Sequence, residues 1–93
     1  MIYQDFRNLK LSKVPEIINI NIEYLDLSSN YLSKLPDDFD KYQQLKILFL
    51  SNNNFISIPK ILSKMNNLYM VSFRSNNISK VNFLPENLEW LIL

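Results

Sequence analysis

Three carboxylates, Asp37, Asp38 and Asp40, fall within one short stretch, and serines stand at Ser28-Ser29, Ser51 and Ser75. Clustered carboxylates can hold a divalent cation or divide acid and base roles between them. Serines become nucleophiles when a neighbouring base takes their proton. Neither chemistry finds its remaining parts here. The chain has no His and no Cys, which removes the commonest general base and metal ligand, the thiolate nucleophile, any disulfide and Cys-ligated zinc. It has no Gly, and therefore no glycine-rich phosphate loop. A Ser-Lys pair needs a lysine depressed by burial, and nothing in the sequence indicates one. No second acidic cluster accompanies the Asp trio, whose place directly after Pro36 suits a helix start instead. The residues read as a non-enzyme without metal or cofactor.

The bulk numbers narrow the class further. A chain of 93 residues, 47% apolar and 20% charged, makes one small globular domain. Its net charge is +1, from 10 basic and 9 acidic residues, and Lys and Arg never occur in runs. Phosphate neutralisation needs a basic patch, so nucleic acid is not an expected partner. No apolar run approaches a membrane span, and the charged N-terminal stretch lacks the apolar core of a signal peptide. The expected location is cytoplasmic.

What must position the side chains is a repeat. Residues 22–44 align with 45–67, so that Ile22, Leu25, Leu27, Asn30, Leu32, Leu35, Pro36 and Phe39 fall on Leu45, Leu48, Leu50, Asn53, Phe55, Ile58, Pro59 and Leu62. A third copy runs from Leu68 through Val71, Phe73, Asn76 and Ile78, shortened to 68–87. A half copy occupies 88–93, and a degenerate one precedes at 1–21, with Gln4 at an inward slot and Leu9 where Asn belongs. The single domain 1–93 is read as these five units. Alternation at Leu25-x-Leu27 and Leu48-x-Leu50 predicts strands with one face inward. Three-residue spacing through Pro36, Phe39, Tyr42 and Leu45 predicts a 3₁₀ or single α turn on the opposite side. Asn30, Asn53 and Asn76 form a ladder at constant spacing, suited to satisfying backbone groups where each strand turns the corner. With no Gly available, Asn is the expected occupant of left-handed turn positions.

The pattern L-x-x-L-x-L-x-x-N-x-L-x-x-L-P resembles the leucine-rich repeat family over nearly the whole chain. Residues 84–93 are similar to repeats of microbial members of that family that carry a kinase-like domain. The resemblance implies an α/β leucine-rich-repeat solenoid, with a short parallel sheet on the concave side and 3₁₀ or short helical turns on the convex side. It also implies a protein-binding scaffold that presents side chains from the concave sheet.

Side chains between the inward leucines point outward from the sheet. One predicted row is Tyr3, Tyr24, Ile47, Met70 and Trp90; the next is Asp5, Asp26, Phe49, Ser72 and Ile92; a third is Arg7, Ser28, Ser51 and Arg74. Tyr24, Ile47, Phe49, Met70, Arg74 and Trp90 are the expected protein-binding residues, because apolar stripes rich in Trp, Tyr and Arg mark interaction surfaces. Their partner is either a foreign protein or a second copy of the chain. The last strand, Glu89, Trp90, Leu91, Ile92 and Leu93, lacks the devices that blunt an edge, and homodimer formation is expected there. The alternative is a truncated fragment of a larger multi-domain protein, such as a kinase-associated leucine-rich-repeat arm, that self-associates and has no activity of its own; the kinase signatures themselves are missing from these residues.

Overall fold

The computed structural model describes residues 1–81 and 84–93. Five strands, β1 Tyr3–Asp5, β2 Tyr24–Asp26, β3 Ile47–Phe49, β4 Met70–Ser72 and β5 Trp90–Ile92, form one parallel sheet in chain order. Their middle residues, Gln4, Leu25, Leu48, Val71 and Leu91, lie in register. Each is a repeat's inward position, so the repeat period and the sheet register are the same fact. Parallel strands require a crossover, and each crossover here closes one coil of a solenoid.

The back of the coil takes the tighter of the two expected turns. Phe39–Lys41 and Lys60–Lys64 are 3₁₀, and no α-helix occurs among the described residues. Phe39 N–H donates to Pro36 O at 3.0 Å and Leu62 N–H to Pro59 O at 3.2 Å, so each proline opens its turn through its carbonyl and loses nothing by lacking a donor. Asp38 flanks the first turn, but its side chain makes no capping hydrogen bond. It pairs with Lys41 at 3.1 Å, and Lys41 also reaches Glu16 at 2.6 Å. The Asp trio's contribution to the helix start is therefore one of charge, without a capping bond.

A continuous apolar core runs through the coils. Leu25, Leu27, Leu32, Phe39, Leu45, Leu48, Leu50, Leu62, Leu68 and Val71 are fully buried. Burial of one such side chain stabilises by roughly 1.5–3 kcal/mol, against about 0–1 kcal/mol for an exposed ion pair, so inter-coil packing outweighs the surface charges. Tyr42 takes the place that Met65 holds one coil later. Its hydroxyl accepts Ile17 N–H at 3.1 Å, tying the degenerate first coil to the second.

The side chains of the Asn ladder bond to backbone groups. The Asn53 amide donates to Leu27 O of the preceding coil at 3.0 Å and to Leu50 O and Ser51 O of its own at 3.2 Å, while its oxygen accepts Leu32 N–H at 2.9 Å. Asn30 and Asn76 repeat the scheme, Asn30 accepting from both Leu9 and Leu11 and donating to Phe6 O. Every rung bonds to backbone on two coils.

The left-handed positions differ from expectation. Among the described residues positive φ occurs at Asn8, Lys10, Ser29, Asn52 and Ser75; two of these five are Asn, and none belongs to the ladder. Ser29, Asn52 and Ser75 each directly precede a ladder Asn. The ladder side chains are committed to other backbone groups, and the strain passes to the neighbour. A left-handed non-glycine residue costs about 1–2 kcal/mol. Ser75→Gly is expected to raise stability by about 0.5–1 kcal/mol after the added unfolded-state entropy. Asn53→Ala, which strands several buried backbone groups, should lower it by about 2–3 kcal/mol. Urea unfolding followed by circular dichroism measures both, and a Ser75→Gly variant less stable than the parent would contradict the assignment of strain to that residue.

Candidate functional site

The outward rows assemble as the alternation requires. Tyr3, Tyr24, Ile47, Met70 and Trp90 are direct neighbours across the five strands, and so are Asp5, Asp26, Phe49, Ser72 and Ile92. The third row is aligned by backbone bonds from Ser29 N–H to Ser51 O at 2.9 Å and from Asn52 N–H to Arg74 O at 2.8 Å.

Availability differs along these rows. Trp90 is 63% exposed, Tyr3 50% and Ile92 42%. Tyr24, Ile47 and Phe49 are half-buried, and Arg74 is exposed. Met70, expected as a contact residue, retains only 9% exposure. Its place between Ile47 and Trp90 in the central part of the sheet makes it floor rather than free surface.

The face has two ends of different character. At the β1 end, the rings of Tyr3 and Tyr24 lie 4.7 Å apart and those of Tyr24 and Phe49 5.5 Å apart, both pairs tilted. Phe49 belongs to the second row, yet it leans on the first, so the three rings form one surface. Beside them the Arg7 guanidinium grips Asp5 through Nη2 at 2.8 Å and Nε at 3.0 Å, and reaches Asp26 at 3.6 Å. Asp26 is nearly buried and accepts Ser28 N–H at 3.0 Å. The Arg7 side chain, followed by its backbone N–H, holds the Asp5 carboxyl down at about 2. The same contact raises Arg7, so this arginine stays charged but committed. Burial, with Asp26 nearby, pushes the Tyr24 hydroxyl up. At the other end Arg74 forms no ion pair among the described residues, and Trp90 and Ile92 stand clear of the sheet.

The Asp5–Arg7–Asp26 cluster was missed in the sequence, although the signal was present. Asp5-x-Arg7 puts opposite charges on the same face of one strand, and one repeat on, Asp26 occupies the slot of Asp5. The Ser51 and Ser72 hydroxyls meet each other at 2.9 Å. No group of three or more acidic side chains that could hold a metal ion occurs among the described residues. No helix is long and apolar enough to cross a membrane.

The edge strand β5 bonds to β4 through Trp90 N–H to Tyr69 O and through Ile92 O, which accepts Phe73 N–H. Alternation turns the backbone groups of Leu91 to the outer edge. No other strand among the described residues pairs with that edge.

A family model described as Leucine Rich Repeat matches residues 21–42 and 44–65. Osteomodulin of Bos taurus is 30% identical over 87 residues, covering 92% of the chain and 21% of that protein. Prolargin of Bos taurus is 35% identical over 95 residues, covering 99% of the chain and 24% of that protein. U2 small nuclear ribonucleoprotein A' of Candida albicans is 33% identical over 76 residues, covering 77% of the chain and 31% of that protein. The chain therefore spans between a fifth and a third of the length of these relatives.

The grip of Arg7 on Asp5 has a measurable consequence. The Asp5 carboxylate is favoured in the folded chain, so its contribution is present above the ordinary carboxylate range near pH 4 and is lost as pH falls through about 2. In an Arg7→Ala variant, the Asp5 carboxyl followed by NMR titration is expected to return to the ordinary range. An unchanged midpoint would show that Arg7 is not what holds it down.

Proposed function

The chain belongs to the leucine-rich repeat family, and from that premise we propose that it is a non-catalytic scaffold that binds a protein on its concave sheet. The observation that carries this reading is the side-chain row Tyr3, Tyr24, Ile47, Trp90, joined by Phe49 and Ile92. It is an apolar and aromatic surface on a rigid backbone, with Trp90 and Tyr3 both at least half exposed. A solvent-facing sheet normally carries polar residues. Fixed aromatic rings lose little conformational freedom on binding, which favours them as anchors.

The proposed contact residues are Tyr24, Ile47, Phe49, Trp90 and Arg74, with Met70 as the floor between them. Arg74, without an ion pair among the described residues, supplies a cation at one end. Arg7 does not, because Asp5 and Asp26 occupy it. A partner that presents an apolar ridge with a carboxylate near Arg74 fits this distribution. The face is narrow, five strands at about 4.8 Å spacing, so it supports a contact smaller than the roughly 800 Å² per partner of a standard interface. The cytoplasmic location belongs to the same proposal; the name of one relative places it in a nuclear ribonucleoprotein.

A second reading is favoured by one specific observation, the open outer edge of β5. Residues Glu89, Trp90, Leu91, Ile92 and Leu93 would pair there with the same strand of a second copy, antiparallel about a two-fold axis. In a longer multi-domain protein a further coil would take that place.

Affinity capture with the folded chain is expected to enrich a partner, and Trp90→Ala or Phe49→Ala to reduce its recovery at least tenfold without altering the melting temperature. Light scattering at micromolar concentration follows the edge in parallel. A dimer that dissociates on Leu91→Pro supports strand pairing, and a monomer throughout excludes it. Partner recovery unaffected by both concave substitutions would remove the concave face from the proposal.

A further inference from the structure

Ion pairs among the described residues use three of the ten cationic side chains, Arg7, Lys41 and Lys46. Of the others, Lys13, Lys34, Lys60, Lys64 and Lys80 gather on one convex flank, well away from the concave rows. In sequence they are scattered. The repeat brings them together because Lys13, Lys34, Ser57 and Lys80 share one repeat slot, directly before Val14, Leu35, Ile58 and Val81; Leu35 and Ile58 are buried there and Val81 is exposed. A parallel bridge between Ser57 and Lys80 aligns the third and fourth coils at this level, and Ser79 N–H donates to Ile56 O at 2.9 Å.

Two depressions lie along this flank and share Lys34, Leu35, Pro36 and Asp37. One, of about 300 Å³, extends towards Lys13 and Val14. The other, of about 490 Å³, extends towards Pro59, Ile61, Lys60 and Lys64. Side by side along this shared segment, they form one grooved surface across the first three coils. Its floor is apolar, formed by Val14, Leu35, Pro36, Pro59 and Ile61, and its rims carry four ammonium groups against the single carboxylate of Asp37. The nearest other acid on this flank, Asp38, is taken by Lys41.

We propose that this groove binds an extended acidic peptide, a stretch in which carboxylates alternate with apolar side chains. Alternation sends successive side chains of an extended chain to opposite sides. The apolar ones then meet the floor while carboxylates meet the lysines on the rims. Lysine suits this role, since its stem covers the apolar floor and its head stays at the rim. The coils carrying Lys13 and Lys60 are two steps apart, roughly 10 Å at the strand spacing, which about three extended residues cover. Nucleic acid is disfavoured because, among the described residues, no aromatic or arginine side chain on which a base can stack lines the groove. A membrane surface is disfavoured because the apolar atoms lie at the bottom of a recess, out of reach of a flat bilayer.

The test uses the purified chain and an array of fluorescein-labelled heptapeptides in which Glu alternates with Leu, Val, Ile or Phe, each with a Gln counterpart. Fluorescence anisotropy at low salt and at about 0.15 M salt is the readout. The proposal expects Glu peptides to bind, Gln peptides to bind far less, and added salt to weaken the complex. Lys34→Glu with Lys60→Glu should weaken binding about tenfold or more. The control pair Lys10→Glu with Arg74→Glu, and the concave variant Tyr24→Ala, should leave it unchanged. All these positions are exposed or half-buried, and unchanged melting temperatures confirm that the variants fold. Absence of binding across the array overturns the proposal, as does equal weakening by both charge-reversal pairs. Tighter binding of phosphatidylserine vesicles or of an oligo-dT strand through the same lysines overturns it in favour of that ligand. Because the concave face is read out separately by Tyr24→Ala, failure here leaves the concave reading intact.

Discussion

The structure depends on satisfying backbone polar groups at one recurring corner. A solenoid coil leaves its sheet on a turn that can neither continue the strand ladder nor close a helix, and the turn lies against a dry core. The amide of one asparagine per coil solves this. Asn53 donates to the strand end of the preceding coil and of its own, and accepts from Leu32 N–H. Because each rung spans two coils, the ladder fixes the coil-to-coil register as well as the turn. Buried polar groups cost free energy unless they are hydrogen-bonded, and among the described residues no buried side-chain polar atom lacks a partner. In the first coil, where Leu9 replaces the asparagine, the donor comes from Asn30 of the next coil, which bonds to Phe6 O.

This constraint has a local cost. The residue before each rung must turn left-handed, and without glycine the position falls to Ser29, Asn52 and Ser75. The chain carries this strain because coil-to-coil burial is the larger effect. Leu25, Leu48 and Val71 are fully enclosed only by their neighbours, so no coil is stable alone and each stabilises the next. A rigid sheet follows, and with it the freedom of the outward positions. Nothing in the core demands that Tyr3, Tyr24, Phe49 and Trp90 be aromatic, which is why the apolar row there supports the proposed binding face.

Much of this was legible from one chain. The period, the inward positions, the parallel sheet, the 3₁₀ alternative and the ladder's structural role all follow from residue types at fixed spacing. The outward rows were legible too, because alternation in a three-residue strand leaves a single choice of face. What was not legible arises from contacts between coils. Met70 is nearly buried between the strands of Ile47 and Trp90, the Arg7 guanidinium is spent on Asp5 and Asp26, and the turn strain falls beside the asparagine ladder.

The sequence by itself determined the solenoid, since a 23-residue recurrence of Leu, Asn and Pro has one way to bury its apolar face and satisfy its backbone. Tertiary structure alone decided which charged and aromatic side chains are free. Lys13, Lys34, Lys60 and Lys64, spread over three repeats, line two adjoining depressions. Tyr24 and Phe49, in different rows of different strands, become one surface. The physical reason is that stacking places residues one repeat apart within about 5 Å of each other, a proximity that charge runs and local windows do not contain.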